Sequence, residues 1–205
     1  MKANTYAYRV GNGIYINLTN RCTNACTFCI RNNDDGAYGS DSLWLEKEPT
    51  VQEAFDAVKA LFFPACTEFV FCGYGEPTMR LDVLLETAKL LKDMFALPIR
   101  LNTNGHAILI CGEDVTPRLA GLIDSVSVSL NTPDASEYVS LCKPVYGKKA
   151  FDSMLSFATA CKAYVKDVQM SVVGDFLDKY QLVMCQSIAD RCGVKLRIRE
   201  YIGKK

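Results

Sequence analysis

The sequence predicts an α/β fold: a parallel sheet covered by helices. Two observations predict it. Short apolar runs of strand length alternate with stretches of helical periodicity along the chain. That alternation is what crossover connections between parallel strands produce. A length of 205 residues, 49% of them apolar, suffices for one full hydrophobic core.

Each element follows from local chemistry. Residues 13–19 form the first strand, and the polar stretch 20–49 after it is longer than an ordinary connection, a length often tied to function. Thr50 and Glu53 make a capping box for a helix reaching residue 63. Residues 68–72 have the pattern of a buried strand. A helix over 81–95, a strand over 98–103, a short helical piece over 114–122 and a strand over 125–130 come next. Thr132, with Pro133 as first helical residue, starts another helix. A further helical stretch covers 151–164, and strands at 167–173 and 194–199 flank a helix over 179–192. Six strands result. This pattern alone fits an open doubly wound sheet and a partial barrel equally.

Charge and composition exclude several classes. Basic and acidic side chains number 23 each, so nothing favours general nucleic-acid or membrane binding. The first residues lack the apolar core of a signal peptide, and no run reaches the roughly 18 apolar residues of a membrane span. A cytoplasmic location is expected. With no signal peptide, a disulfide scaffold is the weaker reading of the ten cysteines. Cys66, Cys72, Cys111, Cys142, Cys161, Cys185 and Cys192 are scattered through apolar-rich segments and read mostly as buried side chains.

Cys22, Cys26 and Cys29 differ. They cluster in the polar loop with the spacing Cys-x3-Cys-x2-Cys, just past the first strand, at the carboxyl end where parallel α/β folds bind ligands. Soft thiolates select zinc or iron–sulfur over hard cations. A structural zinc site wants four ligands and a ferredoxin cluster four cysteines, whereas the motif offers three. Three thiolates can instead hold three irons of a [4Fe–4S] cube, leaving one iron open for a chelating small molecule.

Other strand ends carry polar or glycine-rich turns. Gly73, Tyr74, Gly75, Glu76 and Pro77 follow the second strand; the glycines permit close backbone approach and positive φ, or mark an ordinary strand-to-helix turn. Thr103 and Asn104 close the third strand before Gly105, which also reads as a plain Asn-Gly turn. Ser127, Ser129 and Asn131 alternate onto one face of the fourth strand, suggesting a wet interior. Arg197, Arg199 and Tyr201, with Lys195, share a face of the last strand: either a barrel-mouth site for an anionic group or a solvated edge. His106, the single histidine, reads as an ordinary loop residue, and the loop around Asp34, Asp35, Gly36 and Gly39 as part of a mouth or a solvated loop.

The cysteine motif, with aromatic Phe28 before its last cysteine, and the glycine turn resemble the radical S-adenosylmethionine enzymes. Within them the chain is most similar to the TatD-associated group, on residues 17–24, 71–78 and 100–105. The resemblance implies a partial (β/α)6 TIM-like barrel, with residues 1–205 as a single core domain and a cluster-binding loop at about 20–49. It implies a [4Fe–4S] cluster on Cys22, Cys26 and Cys29. It implies S-adenosylmethionine held by Gly73, Tyr74, Gly75, Glu76, Pro77, Thr103, Asn104, Ser127, Ser129, Asn131, Val173 and Arg199. Tyr74 stands where the family has its second glycine. The implied activity is reductive cleavage of S-adenosylmethionine and hydrogen abstraction from a substrate the resemblance does not identify. A flavodoxin or ferredoxin would supply the electron, and a TatD-like hydrolase would be a partner. The alternative is an iron–sulfur electron-transfer or regulatory protein that does not cleave the cofactor.

Overall fold

A computed structural model describes residues 4–33 and 36–201. One seven-stranded sheet, in the order β1 to β7, organises them. Strand β1 (Ala7–Val10) pairs antiparallel with β2 (Gly13–Ile16). From β2 onward every neighbour is parallel: β3 (Glu68–Phe71), β4 (Ile99–Thr103), β5 (Ser125–Ser129), β6 (Asp167–Val173) and β7 (Lys195–Arg199). The six parallel strands are those expected, in a partial parallel β/α arrangement. β1 was not expected. Its signal lies in the sequence: Gly11, at φ +56, and Asn12 form a two-residue hairpin connection between apolar-rich runs.

Helices α1 (Val51–Leu61), α2 (Leu81–Met94), α4 (Ala135–Cys142), α5 (Lys149–Cys161) and α6 (Lys179–Cys192) fall close to their expected spans. The Thr50 capping box is present: Glu53 N–H donates to Thr50 Oγ1 at 3.2 Å, and Thr50 N–H donates to Glu53 Oε2 at 2.8 Å. Two boundaries differ. Asp134, not Thr132, caps α4, accepting from the N–H groups of Ser136 and Glu137 at 2.9 and 2.8 Å. The piece expected at 114–122 is a 3-10 turn (Thr116–Leu119), and a short helix α3 (Ala107–Cys111) precedes it.

The helices pack on one face of the sheet. Ile14, Ile16, Phe69, Phe71, Leu101, Val126, Val128, Met170 and Val172 point into that layer and are buried with Leu84, Leu91 and Phe157 of the helices. A second, smaller core lies within the long loop, where Ala37 and Leu43 pack with Tyr8 and Tyr74. Residues 36–44 are therefore not simply a solvated loop. Asp34 and Asp35 lie outside the described residues. No helix among the described residues is long and apolar enough to cross a membrane.

Candidate active site

Register fixes what the other face of the sheet carries. Arg100 pairs with Ser125, Asn102 with Ser127, Ser129 with Ser171, Ser171 with Arg197, and Val173 with Arg199. Residues opposite one another in parallel strands share a face, so one side is apolar and helix-covered while the other is polar and cationic. That polar face, the strand ends and the long loop line a cavity of about 260 Å³. All fifteen residues singled out from the sequence line it: the three motif cysteines, residues 73–77, Thr103, Asn104, Ser127, Ser129, Asn131, Val173 and Arg199.

The cysteine loop is fastened at several points. Ala25 and Thr27 N–H groups each donate at 2.9 Å, to the Cys142 and Leu141 carbonyls at the end of α4. Glu48, at the far end of the loop, accepts from the Thr19 hydroxyl, from Arg21 Nε at 2.8 Å and from an Arg80 guanidinium nitrogen at 2.8 Å. Beneath the loop runs a buried chain of polar groups. Asn104 Nδ2 donates to Thr23 Oγ1 at 2.8 Å; Thr23 Oγ1 and His106 Nδ1 are 2.8 Å apart; His106 Nε2 and the Tyr138 hydroxyl are 3.1 Å apart; and Asn24 Nδ2 donates to that hydroxyl at 3.2 Å. A neutral imidazole accepting from Thr23 and donating to Tyr138 satisfies every link. Burial holds the His106 imidazolium down to about 4. This histidine is thus a support of the cysteine loop, a role its loop position in the sequence did not signal.

The motif thiols share the cavity but are not drawn to one point: among the described residues no three Cys, His, Asp or Glu side chains converge at metal-ligating spacing. Cys26 is hydrogen-bonded to Cys142, which with burial raises the Cys26 thiol pKa. Cys22 is pushed up to about 12 by burial and by nearby Glu76, and burial raises Cys29. Asn24 N–H and Asn104 Nδ2 donate to Cys22 Sγ at 3.4 and 3.8 Å. Three soft donors on one anchored loop, lining one cavity, fit an iron–sulfur cluster by the chemistry of the donor set. Three of the six buried polar atoms left without a hydrogen bond among the described residues, Asn24 Oδ1, Asn102 Oδ1 and Arg199 Nε, belong to residues lining this cavity. Unpaired buried polar atoms gathered around one cavity are what a polar ligand would satisfy.

The glycine turn works differently from expectation. Neither Gly73 nor Gly75 has positive φ. A Cβ on Gly75 would lie 2.3 Å from the Thr19 carbonyl oxygen and 2.5 Å from that of Arg21, and one on Gly73 would lie 2.1 Å from Asn17 Oδ1. The glycines let the turn pass against the start of the cysteine loop. Tyr74, 3% exposed, packs its ring edge-on against Trp44 at 5.2 Å and so ties the turn to the small second core. Glu76 is buried and accepts four hydrogen bonds: from Thr78 N–H (3.1 Å) and Oγ1 (2.7 Å), Thr103 Oγ1 (2.7 Å) and Asn104 N–H (2.7 Å). Burial raises its carboxyl pKa against these opposing donors. Glu76 and Thr103 thus join the ends of β3 and β4, while Asn104 braces the loop. Ser127 and Ser129 line the cavity, and Asn131 sits at φ +64 with Nδ2 3.4 Å from Cys142 Sγ. Ser171, Asn102 and Arg100 complete the lining. Carrying strand-four alternation across to its neighbours would have found them. Lys195 lies at the opposite end of β7 from the cavity lining, paired with Asp167 at 2.8 Å.

The Radical SAM superfamily model matches residues 16–178. GTP 3′,8-cyclase of Corynebacterium glutamicum (strain R) is 32% identical over 147 residues, covering 66% of this chain and 35% of the cyclase. A radical SAM methyltransferase from Sphaerobacter thermophilus shares the fold with a TM-score of 0.62 at 16% identity, covering 94% of this chain and 57% of that one. Methylornithine synthase gives 0.61 at 16% identity, covering 95% and 56%. Streptococcus suis SuiB bound to S-adenosylmethionine gives 0.59 at 14%, covering 93% and 39%. The chain therefore spans about a third of the curated cyclase and roughly 40–60% of the structural neighbours, which at these identities show the fold alone.

Proposed function

The chain belongs to the Radical SAM superfamily, a family of enzymes, and we propose that it cleaves S-adenosylmethionine reductively and abstracts hydrogen from a substrate bound in the same cavity. The observation that carries this reading is the meeting, in one cavity, of three soft thiols with the polar inner face of β4, β5 and β6. Cys22, Cys26 and Cys29 would hold a [4Fe–4S] cluster, and the cluster and S-adenosylmethionine together supply one-electron cleavage of a sulfonium to methionine and a 5′-deoxyadenosyl radical. The chain's own residues bind, orient and exclude water. Glu76 and Thr103 hold the glycine turn rigid beside the thiols. The backbone of residues 73–77, with Asn131, offers polar groups to the methionyl end, and Ser127 and Ser129 offer hydroxyls to the carboxylate or ribose. Val173 gives an apolar wall for the adenine. The domain reading is one core over 1–205 with its cluster loop at about 20–49. Flavodoxin or ferredoxin is the proposed reductant. The TatD-associated group, with a TatD-like hydrolase as partner, is the proposed subfamily, on residues 17–24, 71–78 and 100–105. The cyclase's nucleotide substrate is not carried over, because the shared stretch is about a third of that enzyme.

An electron carrier needs no cavity next to its cluster, which favours the enzymatic reading. The test is anaerobic reconstitution, reduction with dithionite and analysis for 5′-deoxyadenosine and methionine. Formation of both in equal amounts supports the reading. A reducible cluster that never yields them would leave the electron-transfer alternative.

A further inference from the structure

Arg199 is a partly buried cation with no counter-ion among the described residues. It extends from the last residue of β7 onto the inner face of the sheet, beside Val173. No hydrogen bond or ion pair to it exists among the described residues, and its Nε is both buried and unpaired. Its electrostatic neighbours are Cys72, Tyr38 and two further guanidiniums, Arg197 and Arg100; desolvation, the largest effect, lowers its pKa. Arg100 is already committed, donating to Glu68 at 3.1 and 2.8 Å and to the Tyr15 hydroxyl at 3.1 Å. Of the carboxylates lining the cavity, Glu76 is consumed by its four donors, and Glu200 is exposed. Among the described residues the β7 wall therefore carries two uncommitted positive charges, the partly buried Arg199 and the exposed Arg197. A buried charge is costly unless paired, and folds that retain one supply its partner from elsewhere. Two guanidiniums on alternate positions of one strand match the planar, forked acceptors of a carboxylate or phosphate. Nearby, Asn102 presents an unpaired buried acceptor that a ligand hydroxyl or amine would satisfy.

We propose that the β7 wall is the substrate end of the cavity, where Arg199 and Arg197 hold the carboxylate or phosphate of a small polar molecule. This rests on the radical S-adenosylmethionine reading for the identity of the reaction, but the anion site itself does not. It separates Arg199 from the residues assigned to the cofactor and makes the substrate an anion.

The test uses the reconstituted protein and two probes, inorganic phosphate and succinate, each titrated against sodium chloride of equal ionic strength while the unfolding midpoint is followed. At tenfold excess over Kd the midpoint should rise by roughly 3–6 °C. Whichever probe produces the larger rise identifies the group. Arg199→Gln should abolish the response and Arg197→Gln weaken it, while Lys89→Gln on the outer face of α2 keeps it. In chloride alone Arg199→Gln should be at least as stable as wild type, since it removes an unpaired, partly buried charge. The titration is then repeated with saturating S-adenosylmethionine. An additive rise supports a separate substrate subsite; loss of the anion response assigns Arg199 to the cofactor and overturns the proposal. Equal behaviour of both probes and chloride, or a full response in Arg199→Gln, also overturns it. Failure of the enzymatic reading shows elsewhere, as absence of any shift from S-adenosylmethionine itself.

Discussion

Asn33 donates from Nδ2 to the Tyr201 hydroxyl at 3.0 Å, joining positions 168 apart in the chain. The same seam carries aromatic contacts: Phe28 against Phe176 with centroids 5.3 Å apart, and Phe176 against Tyr201 at 5.0 Å. The loop that carries the three thiols is thereby stitched to the far end of the sheet by side chains instead of strand pairing. Truncating Phe176 to alanine removes two ring contacts, each about 0.5–1.5 kcal/mol. The cluster should still load in Phe176→Ala but bleach severalfold faster in air, as followed by its visible absorbance. Bleaching at the wild-type rate would mean that the seam does not protect the thiols.

Iron analysis checks the donor set. Cys22→Ala, Cys26→Ala and Cys29→Ala should each lose most of the roughly four irons of a cube-type cluster, and Cys185→Ala none. Cys142→Ala is the informative control, because Cys142 touches Cys26 yet holds the loop through its carbonyl, which alanine retains. Its iron content should be that of wild type. Loss of iron there would place Cys142 among the ligands.

Glu76 should matter more to folding than its place in a cofactor turn implies. Glu76→Ala strands the N–H groups of Thr78 and Asn104 and two hydroxyls in a buried site. The expected loss is about 2–5 kcal/mol in chemical denaturation. A loss below about 1 kcal/mol, within the range of ordinary surface substitutions, would show that the four donors find other partners.

His106 gives a pH signature. Its folded-state value, depressed to about 4, lies below the ordinary 6.5, so the unfolded chain takes up a proton first as pH falls. Its contribution is fully present above 6.5 and is lost as pH falls from there through about 4, amounting to roughly 3 kcal/mol. Denaturation midpoints of wild type and His106→Gln should therefore converge across that interval. A constant difference between the two would place the imidazole in a more polar site.

Ser129→Ala should weaken S-adenosylmethionine binding about tenfold, the equivalent of one hydrogen bond to a charged group, with the cluster intact. Calorimetry on the reconstituted variant checks it. Unchanged affinity, with a loss in Ser171→Ala, would move the contact to the neighbouring strand.

The parallel core was legible because each strand is an apolar run closed by a polar or glycine-containing end, and those ends meet in space. The three thiols and the glycine turn were legible for the same reason, their signals being local and dense. What was not legible depends on neighbours far away in sequence. Gly73 and Gly75 are small because residues 17–21 pass over them. His106 reaches Thr23 and Tyr138 across 83 and 32 positions, so nothing in its own segment marks it. β1 escapes a reading of the sequence although Gly11 and Asn12 announce its turn, because the flanking run is only four residues long and is interrupted by Arg9.

The antiparallel hairpin has one further consequence. A curved sheet becomes a ring only if its two outermost strands can exchange hydrogen bonds. In β2 the row of backbone groups that a returning parallel strand would use is already engaged by β1. The terminal strands are therefore β1 and β7, and zipping them together would close the ring beside Arg197 and Arg199. That β1 and β7 end the sheet instead of closing it is thus fixed by which backbone groups are occupied.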